Sequence, residues 1–114
     1  MTTIVIEKSH EGVYKGFTCM GHAGFAKKGK PDILCSAISA LSIHTINGFE
    51  KVAGQDISVS ADESTGFMRC IINGVPNEGT VTLMDAFVNS VKDLSDEYGA
   101  EFLQVKIQEV NDNA

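Results

Sequence analysis

Residues 80–98 carry Met84, Phe87, Val91, Leu94 and Tyr98 at intervals of three and four. Such spacing draws one apolar stripe down an α-helix, and a one-striped helix is stable only when the stripe lies against another layer. The neighbouring segments identify that layer as a sheet. Residues 3–8 (TIVIEK) are rich in β-branched residues and end at a Ser-His-Glu-Gly turn. Residues 13–20 continue as a second strand, with Val13, Lys15, Phe17 and Cys19 on one face. Residues 55–61 alternate Ile57, Val59 and Ala61 with Ser58 and Ser60, and residues 67–72 make the return strand. Residues 102–110 set Leu103, Val105 and Ile107 inward against Gln104, Lys106 and Gln108. A further helix is predicted from Asp32 to about Val52, where Ile33, Leu34, Ala37, Ile38, Leu41, Ile46 and Phe49 recur at helical spacing before Gly54.

The order is therefore strand, strand, helix, strand, strand, helix, strand. Hairpins with polar-out alternation favour a sheet with one solvated face, and two striped helices can cover the other. The expected fold is α+β: a two-layer sandwich of a mainly antiparallel five-stranded sheet with two helices on one face. A length of 114 residues supports one core, so a single domain is expected over residues 1–114. With 43% hydrophobic and 21% charged residues, the chain lies in the folding rather than the disordered regime.

The formal charge of −6 opposes a broad electrostatic grip on nucleic acid, whose phosphates an acidic surface repels. Lys27, Lys28 and Lys30 form a local exception, read either as a basic site or as solvated loop lysines. No apolar run approaches the roughly 18 residues of a membrane span. Charge interrupts residues 2–8 too early for a secretory signal. A cytoplasmic protein without membrane attachment is expected. The cysteines Cys19, Cys35 and Cys70 are odd in number and suit a compartment where thiols stay reduced.

Chemistry concentrates in GHAGFAKKGKPDILCSAIS, residues 21–39. Residues 21–31 hold three glycines and a proline and read as a loop between the second strand and the first helix. Asp32 is a favoured N-cap, which puts Cys35 in the first helical turn. There the unpaired N–H groups and the helix dipole favour the thiolate, the form that attacks a carbonyl carbon. His22, at the end of the second strand, can reach the sulfur, pair with it as imidazolium and later protonate a leaving amine. The same free N–H groups can hold an oxyanion. Taken alone, a free Cys on a helix is more often a small buried hydrophobe, and a His and a Cys 13 residues apart are a weak signal. Asp32 either caps the helix or orients His22. Ser39, one turn after Cys35, bonds either near the sulfur or back to its own helix. His10 is expected at a solvated turn, His44 in packing or an interface, and Cys70 in the core.

The ordered pattern Gly-His-Ala, then Gly, Asp-Ile-hydrophobic-Cys-small and Ser, set in this strand and helix order, resembles the bacterial ribosomal-processing cysteine protease family over nearly the whole chain. The resemblance implies a catalytic dyad of His22 and Cys35, a hinge at Gly21, and supporting roles for Asp32 and Ser39. It implies cleavage of an N-terminal extension from a large-subunit ribosomal protein precursor, on the carboxyl side of a phenylalanine, by a homodimer needing no cofactor or metal. Many members run Gly-x-Asp into the cysteine, whereas Gly29-Lys30-Pro31-Asp32 carries one residue more. That insertion is expected to alter loop shape and leave the Asp-to-Cys spacing intact. Two other readings stand beside this one: a zinc-binding module using Cys19, His22 and Cys35, and a non-catalytic ribosome-assembly binding protein.

Overall fold

The structure, a computed structural model, describes residues 1–24 and 32–111. Strands β1 (Thr2–Lys8) and β2 (Tyr14–Met20) form a hairpin, and helix α1 (Ile33–Asn47) runs on into a π-helical turn (Gly48–Val52). Strands β3 (Ile57–Asp62) and β4 (Phe67–Ile72) form a second hairpin, followed by helix α2 (Glu78–Tyr98) and strand β5 (Leu103–Glu109). The sheet order is β3-β4-β2-β1-β5. All neighbours are antiparallel except β1 and β5, which run parallel because α2 carries the chain back across the sheet before β5 begins. The α+β architecture with a mostly antiparallel five-stranded sheet is thus as the hydropathy pattern predicts.

Both helices lie on one face. Ile4 and Ile6 of β1 stand opposite Cys19 and Phe17 of β2, and all four side chains are buried. The Cys19 thiol meets Ser42 of α1 at 3.6 Å, and the Phe17 ring meets Phe87 of α2 with centroids 4.5 Å apart. Leu34, Ile38 and Phe49 from the first helical segment and Met84, Phe87 and Val91 from α2 close this core. The opposite face is polar: Glu7 accepts hydrogen bonds from Thr18 at 2.9 Å and Arg69 at 3.3 Å.

Local chemistry explains where the elements start and turn. Asn77 caps α2 by accepting from the Thr80 N–H at 2.8 Å, so the helix begins at Glu78, ahead of its apolar stripe. Buried Gln55 accepts from the Asn77 N–H and the Thr80 hydroxyl and donates to the Asn73 carbonyl, joining the start of α2 to the β3–β4 hairpin. A bulge at Glu7 and Lys8 skips Lys15, so Tyr14 is buried rather than facing outward, and its hydroxyl donates to Asp85 of α2 at 2.5 Å.

Other departures from the sequence pattern follow from where the helices end. The buried stripe of α1 includes Ser42 and Thr45, whose hydroxyls donate to the carbonyls of Ile38 and Leu41 and so lose no hydrogen bond on burial. Ile33, by contrast, is exposed at the first turn of α1. Val59, on the apolar face of its strand, and Ile107, expected inward, are 49% and 54% exposed because they lie on the two edge strands. The expected loop beyond Gly24, with Lys27, Lys28, Gly29, Lys30 and Pro31, falls outside the described residues.

Burial sets a pH limit on the fold. It pushes the Cys70 thiol from 9.0 up to about 12, and burial and the Asp85 hydrogen bond push the Tyr14 hydroxyl from 10.0 to about 12. Groups whose folded pKa is raised stabilise the fold below their unfolded pKa and lose that contribution as pH climbs to the folded value. Thermal stability is therefore expected to fall from about pH 9 toward pH 12. Melting curves across this window should show a shallower decline for Cys70→Ala than for the wild type, even though the variant starts less stable.

Candidate active site

The register of β1 and β2 builds the first wall of the site. Thr3 pairs with Met20, which sets Gly21 beside the start of β1. The Thr2 hydroxyl donates to the Gly21 carbonyl at 3.3 Å. A Cβ on Gly21 would stand 2.5 Å from the Met1 carbonyl oxygen, and its φ of +86° is itself in the region that favours glycine. This close approach gives Gly21 a structural reason to be glycine. His22 follows with its side chain exposed, and Ala23 is buried behind it.

The second wall is the start of α1. The Asp32 carboxylate accepts from the Cys35 N–H at 2.9 Å, and its carbonyl accepts from the Ser36 N–H at 3.0 Å. The aspartate is therefore a true N-cap. Cys35 is half-buried in the first turn, and its Sγ lies 3.8 Å from His22 Nδ1. Two residues 13 apart in the chain thus meet across the end of β2 and the start of α1. The cap also narrows one expectation: the Cys35 N–H is engaged by Asp32 rather than free for an oxyanion.

Cys35 and His22 border a cavity of about 290 Å³. Its wall includes Cys19, Ile38, Ile43, Phe67 and Met68, with Thr2, Ser39 and Ser42 supplying hydroxyls. Ser39 lies one turn below Cys35 and is exposed, whereas the Ser42 hydroxyl is turned back onto Ile38. Burial pushes the Cys19 thiol up to about 11, which makes it a core residue at neutral pH. The turn between β3 and β4 closes the far side with Asp62, Glu63 and Gly66. The hydroxyl and N–H of Ser64 bond to the Asp62 carboxylate and hold it below its usual range.

Of the residues singled out in the sequence, Gly21, His22, Cys35 and Ser39 gather at this cavity, and Asp32 caps the helix beneath Cys35. His10 pairs with Glu109 at the surface and His44 is exposed on α1. Thr2 and the β3–β4 turn carry no motif that would mark them; only the strand register brings them here.

A model of the family described as cysteine protease Prp matches residues 1–103. The chain belongs to that family. It is, accordingly, an enzyme of the cysteine protease class. No curated protein matches the sequence. Among solved structures, it is similar to the ribosomal processing protease Prp from S. aureus with a covalently linked product peptide, at a TM-score of 0.85 and 20% identity over 95% of this chain and 100% of that one. The same S. aureus protease with a substrate peptide gives 0.83 and 19%, again over 95% of this chain and 100% of that one. SMU.848 from Streptococcus mutans gives 0.79 and 26%, over 96% of each chain. These likenesses agree with the fold described above.

The cap and any further role of Asp32 are separable. Asp32→Ala should cost about 1 kcal/mol, a fall of about 4 °C in Tm for a domain of this size. Asp32→Asn, an equally good cap, should hold Tm near wild type. If capping is all Asp32 does, peptide turnover by the Asn variant will also match wild type.

Proposed function

We propose that Cys35 is the nucleophile and His22 the general base and acid of this protease. The observation that carries the reading is the 3.8 Å contact of Sγ with Nδ1 at a capped helix start, beside an apolar cavity. A resting distance of this length is ordinary before substrate binds and tightens the site. His22 takes the thiol proton, and the Cys35 sulfur attacks the scissile carbonyl carbon. The resulting oxyanion is met by the amides of the first helical turn. His22 then gives its proton to the departing amine, leaving a thioester on Cys35. Water, deprotonated by His22, hydrolyses the thioester and restores the thiol.

The substrate on this reading is the N-terminal extension of a large-subunit ribosomal protein precursor, cut on the carboxyl side of phenylalanine. Support comes from family membership, from the ribosomal processing activity of the S. aureus structural relatives, and from the apolar wall of Ile38, Ile43, Phe67 and Met68 next to Cys35. Such a wall suits an apolar side chain at the position before the cut. Gly21, Asp32 and Ser39 are assigned supporting roles: close packing at the His22 peptide, helix capping, and a hydroxyl in the cavity wall. The protease is further proposed to act as a cytoplasmic homodimer; no helix among the described residues is long and apolar enough to cross a membrane. Sedimentation at micromolar concentration should give about twice the 12.2 kDa chain mass.

Two other readings are weaker. A zinc module would need Cys19 as a thiolate ligand, and Cys19 is buried in the core with its sulfur bonded to Ser42. A non-catalytic assembly factor would leave the His22–Cys35 contact without use in a protease family.

Incubation with the ribosomal precursor, read by mass, tests the proposal. Wild type should release the extension, and Cys35→Ala should bind the same peptide without cutting it. Retained cleavage by that variant would overturn the assignment. Replacing the phenylalanine before the cut by alanine should lower kcat/KM about 10- to 100-fold, matching roughly 1.5–3 kcal/mol of lost apolar burial.

A further inference from the structure

His22 is exposed, and among the described residues its one side-chain hydrogen-bond partner is Cys35 itself. An imidazole on an exposed strand end explores several rotamers unless its surroundings restrict it. Here the restriction comes from backbone. The β3–β4 turn is tightened by the Asp62 side chain, which accepts from both the N–H and the hydroxyl of Ser64, and by the Thr65 and Gly66 N–H groups bonding back to Asp62 and Glu63. The turn delivers Gly66 against the Gly21–His22 peptide. A Cβ on Gly66 would overlap the Gly21 carbonyl oxygen and stand 3.1 Å from His22 Cε1, the ring atom bonded to Nδ1. The same Gly21 carbonyl receives the Thr2 hydroxyl at 3.3 Å, and the Gly21 Cα is packed on the Met1 carbonyl.

We infer that Gly66 and Thr2 are positioning residues for His22: together they clamp the Gly21–His22 peptide and give the imidazole edge a fixed backbone seat 44 residues away in sequence. The inference rests on the His22–Cys35 reading above and adds residues to it that act through the His22 peptide and ring rather than on the sulfur. Relieving the overlap that a Gly66 side chain would create requires the Gly21 carbonyl to move by about an ångström. Displacements of that size at a reacting group cost on the order of 100-fold in rate. At 3.8 Å, Sγ and Nδ1 are already near the limit of a sulfur hydrogen bond, so a further ångström of separation breaks the contact.

The test compares Gly66→Ala and Thr2→Val with His22→Ala and with Gly54→Ala. Gly54 has a similar φ of +66° and nothing within 4 Å of a Cβ, so it carries the backbone strain of the substitution without the contact. Each variant is measured for kcat and KM on the precursor peptide, for alkylation of Cys35 by iodoacetamide at about pH 6, and for thermal melting. Gly66→Ala should lower kcat about 10- to 100-fold with KM within about twofold. It should also slow alkylation toward the His22→Ala rate. Thr2→Val keeps the side-chain shape and removes one hydrogen bond, so it should move both rates the same way by about threefold. Gly54→Ala should match wild type in both.

A folded Gly66→Ala with wild-type kcat and alkylation overturns the inference, as does equal damage from Gly54→Ala. If Gly66→Ala does not fold, Thr2→Val decides, and wild-type rates in it overturn the clamp. Alkylation and cleavage by His22→Ala that match wild type would instead sink the dyad on which the clamp depends.

Discussion

The pairing of Thr3 with Met20 fixes the register of the two central strands, and most of the molecule follows from it. One residue of slip would turn Ile4, Ile6, Phe17 and Cys19 away from the helices and expose the core. The same register brings the end of β2 to the start of β1, so that Gly21 meets Met1 and Thr2 as the chain leaves the sheet. From there α1 needs only its aspartate cap to present Cys35 to His22. Core packing and the placement of the site are thus consequences of one hydrogen-bonded ladder. A substitution that disturbs the β1–β2 pairing will reach both at once.

Much of this was legible in the sequence because it is written in local chemistry. The stripe of α2, the alternation of the strands and the Asp32 cap each depend on residues within one or two turns of each other, and each appears where its pattern places it. Even the long reach of the first helix to Val52 holds, with its last turn wound as a π-helix. What was hidden depends on partners far away. The burial of Tyr14 needs the bulge opposite Glu7 and an acceptor 71 residues on. Ser42 and Thr45 look polar, yet they are buried because each hydroxyl finds a carbonyl within its own helix. Val59 and Ile107 alternate as core residues should, and they are exposed because no sequence period reports which strands become edges.

The candidate site shows the same division. Cys35 could be named from its setting at a helix start and His22 as its partner from the family resemblance, whereas Thr2 and Gly66 enter only through strand order, which puts β4 beside β2 and β2 beside β1. A site built this way separates its tasks by element. On the proposed reading, the helix start presents the sulfur, the strand end carries the base, and a turn from the neighbouring hairpin limits where the base can sit. Few side chains are committed, which leaves the wall of the cavity free to vary in size and polarity without disturbing the reacting pair.

The three cysteines are chemically alike as free residues, and the fold makes them unlike. Cys19 and Cys70 sit under the helices, with thiols that burial holds protonated to about pH 11 and about pH 12, while Cys35 stands half-open at a cavity mouth. Among its three thiols the native molecule therefore presents chiefly that of Cys35 to an electrophile, whereas the unfolded chain presents all three. The count of thiols that react quickly is then a gauge of how much of the population is folded. A thiol-directed reagent is thus steered to the cavity by burial of the other two cysteines rather than by its own shape.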